Sequence, residues 1–402
     1  MLTMQFQRSL APRVVQLLGH FPALVLTGAR QTGKTTLLRQ TLPDYTYVTL
    51  DLPSVAEQAE RDPVAFLARN PAPLLVDEVQ YAPGLFRHLK TAIDADRHAM
   101  GRFVLTGSQK FPLMRSVSDS LAGRCAWLEL GGLSLRERRA LGDGLGLAAL
   151  ERAILRGAFP DLWRDPALPT QAFHSAYLAT YLERDVRQIL NVGSLRDFER
   201  FVRACAARNG RLLDKTDLGR TVGVTAKTID AWLSVLVASD QIELLEPWFV
   251  NVGKRLIKAP KLYFRDVGLA SWLLGIDERG LLGSPFLGTL WETLILAELR
   301  ASLAATGSSR TLWFYRDAAG HEVDFVVTGG GRTDLIEAKW TEHPNIADTA
   351  ALHRVARDVA RTAEGQTTRS WVVCRTSNPH PIAGSDAYAI DLLELVDSLF
   401  PP

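Results

Sequence analysis

The sequence predicts an α/β protein of three successive domains, and three observations carry that expectation. Up to about residue 160, short apolar runs alternate with helical patterns around a complete Gly-x-x-x-x-Gly-Lys-Thr loop. From 161 to 283 the pattern is mainly helical, with two amphipathic stretches joined by Val222-Gly223-Val224. From 284 to 402 a long apolar helix precedes strands whose acidic and apolar residues alternate strictly.

Bulk numbers bound the rest. A chain of 402 residues, 47% hydrophobic and 22% charged, has enough apolar content for sizeable cores. A net charge of +2 gives no overall reason to expect nucleic acid, so any basic surface must be local. Cys125, Cys205 and Cys374 lie far apart and form no metal-type spacing, which fits free thiols in a reducing cytoplasm. No signal peptide is expected at the N-terminus, and no stretch of about 18 apolar residues predicts a membrane span.

In the first domain, strands are expected at 24–27, 45–50, 74–76, 103–106 and 126–130, with helical spacing at Leu85, Phe86, Leu89 and Ile93. Strands alternating with helices predict a parallel sheet covered on both faces. The first strand runs into Gly28-Ala29-Arg30-Gln31-Thr32-Gly33-Lys34-Thr35, with Thr36 opening a helix. Gly28 and Gly33 let the backbone N–H groups close around phosphate oxygens. Lys34 adds charge for the β- and γ-phosphates, and the Thr35 hydroxyl is a ligand for Mg²⁺. Arg30 also reaches phosphate or base.

Leu74-Leu75-Val76-Asp77-Glu78 ends a buried strand in two acids. Asp77 is placed for the metal shell and Glu78 to orient an attacking water. Thr106 and Ser108, at the tip of the next strand, are candidates for sensing the γ-phosphate; Thr106-Gly107-Ser108 also reads equally well as a tight turn. Arg124 is a candidate for stabilising transferred phosphoryl charge, in cis or from a neighbouring subunit, or a surface arginine.

These pieces resemble the AAA-like ATPases of the additional-strand class. Residues 28–36, 74–80, 105–109 and 121–124 are more closely similar to the bacterial and archaeal ATPase family whose ATPase domain is followed by a domain of unknown function numbered 4143. Arg156-Gly157-Ala158-Phe159-Pro160 matches that family's Gly-Gly-Phe-Pro element with Ala158 in place of one glycine. The resemblance implies ATP and Mg²⁺ as cofactors, ATP hydrolysis, and assembly into a ring or dimer.

In the middle domain, Tyr177, Tyr181, Val186 and Ile189 share one helical stripe. Leu218, Val222, Val224, Ile229, Leu233 and Leu236 then form the core of a helix-turn-helix whose second helix is capped by Thr225 and turns Ala226, Lys227, Thr228 and Asp230 outward. Strands at 242–247 and 249–263 suit a wing bearing Lys254, Arg255, Lys258 and Lys261. This predicts contact with DNA phosphates; a protein-contact or lid module is the alternative.

In the last domain, Glu322 and Asp324 share one face of a strand, while Val323, Phe325 and Val327 share the other. A turn at 328–331 folds the next strand back, bringing Asp324, Glu337 and Lys339 together. Glu292, on the apolar helix ahead of them, needs a partner. Glu292, Asp324, Glu337 and Lys339 resemble the PD-(D/E)xK nuclease core, which implies a divalent metal and possible cleavage. The residues also allow a simpler outcome, in which Lys339 pairs with Glu337 and leaves no room for metal. The expected activity is therefore a DNA-engaging ATPase; the alternative is a non-nucleolytic nucleotide switch that binds a protein partner.

Overall fold

The structure is a computed structural model. It describes residues 6–108, 113, 117, 120–139, 146–182, 186, 195–249, 258–362 and 367–401, without the side chains of 361–362. The chain divides into two units, Met1–Leu133 with Ala238–Gln241, and Ser134–Val237 with Ile242–Pro402.

The first unit is built on strands β1 (Ala23–Thr27), β2 (Thr46–Thr49), β3 (Leu74–Asp77), β4 (Phe103–Gly107) and β5 (Cys125–Glu129), each within two residues of its expected place. They form a parallel sheet in the order β2-β3-β4-β1-β5. Strand β4 therefore lies between the strand that feeds the glycine loop and the strand that ends in the acid pair. Every residue of β1, β3 and β4 is buried, as a sheet covered on both faces requires. Helix α1 (Ala11–Leu18) packs Val14 and Leu18 inward, and helix α2 (Lys34–Thr41) follows the glycine loop.

The second unit begins with helices that include Leu147–Arg156, Thr170–Tyr181 and Leu195–Ala206. Tyr177, Tyr181 and Val186 are buried as expected; Ile189 lies outside the described residues. The helices Lys215–Val222 and Ala226–Ala238 meet at 101° across Gly223, which takes the left-handed conformation that ends the first of them. Leu218, Val222, Ile229, Leu233 and Leu236 are buried and Val224 is half-buried. Thr225 Oγ1 accepts from Thr228 N at 3.1 Å, which caps the second helix. Strands β6 (Arg211–Leu212), β7 (Ile242–Leu245) and β8 (Lys261–Phe264) form a small antiparallel sheet in the order β6-β8-β7. Lys254 and Arg255 lie outside the described residues.

The Arg156–Pro160 element closes a tight junction within this unit. Gly157 has φ of 74°, and a Cβ there would lie 2.3 Å from Asp266 Oδ1. Asp266 Oδ2 accepts from Ala158 N at 2.7 Å, and its Oδ1 caps the helix Val267–Leu273 through Leu269 N at 2.7 Å. The neighbouring position only offers its N–H, so Ala158 fits where the family element has a second glycine.

The helix Leu287–Thr306 leads into a mixed sheet of strands β9 (Thr311–Arg316), β10 (Glu322–Gly329), β11 (Arg332–Ala338), β12 (Thr367–Val373), β13 (His380–Pro381) and β14 (Ala387–Ile390), in the order β13-β14-β12-β11-β10-β9. One hydrophobic core runs from Leu135 to Phe400, joining helices of the middle segment to strands of the last. Cys205 and Cys374 are buried, Cys125 is half-buried, and all three are free thiols. Among the described residues, no single helix is long and apolar enough to cross a membrane.

His174 is completely buried among the rings of Phe159, Phe173 and Trp272, and neither ring nitrogen meets a hydrogen-bond partner among the described residues. Burial lowers its pKa; Asp266 opposes that and Arg156 adds to it. The unfolded chain therefore takes up a proton near pH 6.5 that the folded chain refuses, so stability falls as pH drops below that value. His174→Phe should flatten the fall, which has a limiting slope of about 1.4 kcal/mol per pH unit for one group. Urea denaturation of both proteins between pH 5 and 8 checks this; equal slopes would rule it out.

Candidate active site

The glycine loop is shaped by close approaches that only glycine allows. Gly28 has φ of 145°, and a Cβ there would lie 2.2 Å from Leu130 O. Gly33 is left-handed, with φ of 87°, and precedes α2. Gln31 also has positive φ, at 60°. Ala29 and Arg30 are half-buried, Thr32 is buried, and Thr36 is exposed. The Thr32 hydroxyl donates to Ala29 O at 2.9 Å. Lys34 is buried, and its ammonium donates to Gly28 O at 2.9 Å and Ala29 O at 2.8 Å. Burial lowers its pKa against the pull of Glu78 and Asp77, and the Arg30 charge lowers it further.

Asp77 gathers hydroxyls from three other elements. Thr35 Oγ1 donates to its Oδ2 at 2.9 Å and Tyr47 OH donates to the same atom at 3.0 Å, while Thr106 Oγ1 donates to Oδ1. Burial, and then the Asp77 charge, push the Tyr47 phenol up to about 12, so it stays a donor. Thr35 and Asp77 thus present two hard oxygens side by side, the donor set that suits Mg²⁺.

Glu78 sits in the left-handed region with φ of 56°, a conformation that costs a side-chain-bearing residue about 1 kcal/mol. Its Oε2 accepts from Ser108 Oγ at 3.2 Å, from Ser108 N at 3.3 Å and from the Gln80 amide. Gly107 has no room for a side chain, because a Cβ would lie 2.2 Å from Leu113 Cδ1 and 2.5 Å from Gln80 Oε1. Of the two readings of Thr106-Gly107-Ser108, the geometry links both hydroxyls to the acid pair.

Arg124 is not part of this group. It precedes the N-terminal end of β5, while the glycine loop follows the C-terminal end of the parallel neighbour β1. It holds Asp94 through two hydrogen bonds, at 2.8 and 3.0 Å.

In the second unit the acids are brought together, but with an occupant. Register places Phe325 opposite Ile336, so Asp324 and Glu337 are neighbours across the β10–β11 hairpin. Asp324 Oδ2 accepts from Ala338 N at 2.8 Å. Lys261 corrects the expected basic wing: its side chain is buried, pairs with Glu322, and lies 3.7 Å from Glu292 and 3.8 Å from Asp324. Burial alone would depress its pKa, but these three acids raise it overall. An apolar strand with alternate residues turned into an acidic cluster offers better solvation to an ammonium than an apolar wall would. Of the four expected wing cations, only Lys258 is described as exposed. Glu292 has the partner it needed, accepting from Tyr263 OH at 2.6 Å. Lys339 donates to Glu337 Oε1 at 2.7 Å.

Burial, and then the Asp324 charge, raise the pKa of both Glu292 and Glu337, against the pull of Lys261 on the first and Lys339 on the second. Among the described residues no three His, Cys, Asp or Glu side chains are gathered to hold a metal ion. Sequence reasoning missed Tyr47 and Tyr263, and the roles of Lys261 and Glu322. Alternation did carry a signal, because Lys261 and Tyr263 necessarily share one face of β8.

Comparison with known proteins gives the chain relatives. Residues 20–138 match an AAA domain, residues 147–280 match a domain of unknown function (DUF8612), and residues 287–394 match a domain of unknown function (DUF4143). The uncharacterized proteins Rv2008c of Mycobacterium tuberculosis and Mb2031c of Mycobacterium bovis are each 33% identical over 361 residues, covering 89% of this chain and 79% of theirs. Among solved structures, a Walker-type ATPase of Pyrococcus abyssi aligns with a TM-score of 0.48 at 14% identity, over 67% of this chain and 96% of its own. The RuvB Holliday junction branch migration motor of Thermotoga maritima aligns with a TM-score of 0.30 at 16% identity, over 60% and 90%.

Lys34→Ala should abolish ATP turnover and weaken nucleotide binding, since backbone N–H groups alone do not balance triphosphate charge. Glu78→Gln should retain ATP and lower turnover by about 100-fold or more, the usual contribution of a water-activating base. Steady-state hydrolysis with a fluorescent ATP analogue separates the two; wild-type turnover by Glu78→Gln would remove Glu78 from that role.

Proposed function

The chain belongs to the family in which an AAA ATPase domain precedes the domain of unknown function DUF4143, and we propose that this P-loop ATPase couples its nucleotide cycle to engagement of duplex DNA. The observation that carries the DNA reading is the helix pair at 101°. Its second helix exposes Ala226, Lys227, Asp230, Ala231 and Ser234. Small and polar residues on that face suit close approach to a groove, whereas a protein-docking face would carry large apolar anchors. Together with β6, β7 and β8 the pair reads as a winged helix.

Hydrolysis follows from the residues around Asp77. Lys34 would exchange the carbonyls of Gly28 and Ala29 for β- and γ-phosphate oxygens. Thr35 and Asp77 would hold Mg²⁺, which supplies charge neutralisation of the phosphates. Tyr47 and Thr106 would fix the Asp77 carboxylate, leaving its lone pairs aimed. Glu78, steadied by Ser108 and Gln80, would orient water toward the γ-phosphorus and take its proton as the bond to the β-phosphate oxygen breaks.

Cleavage by the C-terminal cluster is the less favoured reading. Lys261 meets Glu292, Glu322 and Asp324, and Lys339 holds Glu337, so each of these acids already has a cation of the chain beside it. We read this cluster as a charged joint in the second unit. Fluorescence anisotropy with a duplex tests the DNA proposal. Binding should weaken steeply with salt, and neutralising Lys227, Lys254, Arg255 and Lys258 together should weaken it about equally for unrelated sequences. Insensitivity to both moves the helix pair to protein contact. Supercoiled plasmid with Mn²⁺ should stay intact in the same samples; nicking that Asp324→Asn abolishes would restore the cleavage reading.

Assembly is part of the same proposal. Since Arg124 lies at the sheet edge away from its own glycine loop, it would complete a neighbour's site by leaving Asp94. Mixed Arg124→Ala and Lys34→Ala proteins should regain turnover that neither has alone. No recovery at any mixing ratio would exclude action in trans.

A further inference from the structure

We infer that Arg8 is a positioning residue for the ATPase, aiming one backbone N–H of the phosphate cradle. Arg8 precedes α1 and is buried. Its Nη1 donates to Thr32 O at 2.7 Å, and its Nη2 donates to Gly131 O at 2.8 Å and Gly132 O at 2.9 Å. One guanidinium thus joins the glycine loop to the chain just beyond β5.

The consequence follows from peptide geometry. In a trans peptide the C=O of one residue and the N–H of the next point in opposite directions across a rigid plane. Holding the Thr32 carbonyl therefore fixes the direction of the Gly33 N–H. Gly33 stands immediately before α2, where N–H groups receive phosphate oxygens. Like Gly28, Gly33 lacks a Cβ and takes positive φ, so no side chain restrains its backbone. Two other loop carbonyls have a tie within the loop: Gly28 O and Ala29 O accept from Lys34. Thr32 O depends on Arg8. The contact to Gly131 and Gly132 supplies the anchor, since Leu130 N donates to Thr27 O at 2.8 Å and binds that segment to the end of β1.

Arg8 carries out this role through its fork. Two nitrogens address two separate segments at once, which an ammonium on a flexible stem does not reproduce. A cradle N–H serves bound ATP and the transition state alike, so losing its aim weakens binding uniformly.

The test compares wild type with Arg8→Gln and Arg8→Lys. For Arg8→Gln, the KM for ATP should rise about ten-fold with kcat within about two-fold. Affinity for inorganic tripolyphosphate, which has no base or ribose, should fall by the same factor. Arg8→Lys should lie between the two. Unchanged KM and tripolyphosphate affinity, or a loss confined to kcat, overturns the inference. Thermal melts of all three proteins accompany the kinetics. If Arg8→Gln does not fold, Arg8→Lys alone must show the KM shift; if neither folds, Arg8 belongs to the fold rather than to the cradle, and the inference falls.

Discussion

The catalytic unit depends on one carboxylate. Asp77, at the end of β3, receives hydroxyl donors from α2, β2 and β4, so three neighbouring elements are fixed relative to one another by a single buried anion. A carboxylate in that position must be satisfied, because an unpaired buried charge costs several kcal/mol, on the order of the whole stability margin of a domain. The groups that donate to it are hydroxyls rather than cations, and the Lys34 ammonium acts on it only through space. That is the arrangement a metal-binding acid needs: geometrically fixed, electrostatically available.

The acid cluster of the second unit solves the same physical problem the opposite way. Glu292, Glu322 and Asp324 lie around the Lys261 ammonium, which β8 carries in among them. Arg316 adds a second cation to Glu322 at 2.7 Å. Here two cations of the chain itself offset part of the charge of three carboxylates. The two acid groups would be hard to tell apart by composition, yet one is held by neutral donors and the other by ammonium and guanidinium groups.

Much of this was legible in the sequence, and the limits have identifiable causes. The five strands of the parallel sheet, the glycine loop and the Thr225-capped helix were readable because each is encoded by local periodicity or local steric need. Glu337 and Lys339 were readable because alternation puts residues two apart on one side of an extended chain, which holds although Lys339 lies just past the end of β11. The partner of Arg124 was not, since Asp94 lies thirty positions away and nothing local links them. Lys261 misled for a related reason: four cations close together in sequence suggest one surface, and only the tertiary fold decides which of them faces inward. Tyr47 escaped notice because a phenol on an expected strand looks like ordinary packing until a carboxylate appears beside it.

The position of Lys261 also bears on how the protein can be divided. Lys261 and Tyr263 come from the segment before residue 284, whereas Glu292, Glu322 and Asp324 come after it, and the core from Leu135 to Phe400 is continuous across that point. A fragment starting there would inherit three converging carboxylates without their counter-ion, along with an uncovered apolar face. Its appetite for cations would then be an artefact of the cut. The two segments therefore form one folding unit, because each carries part of one electrostatic cluster.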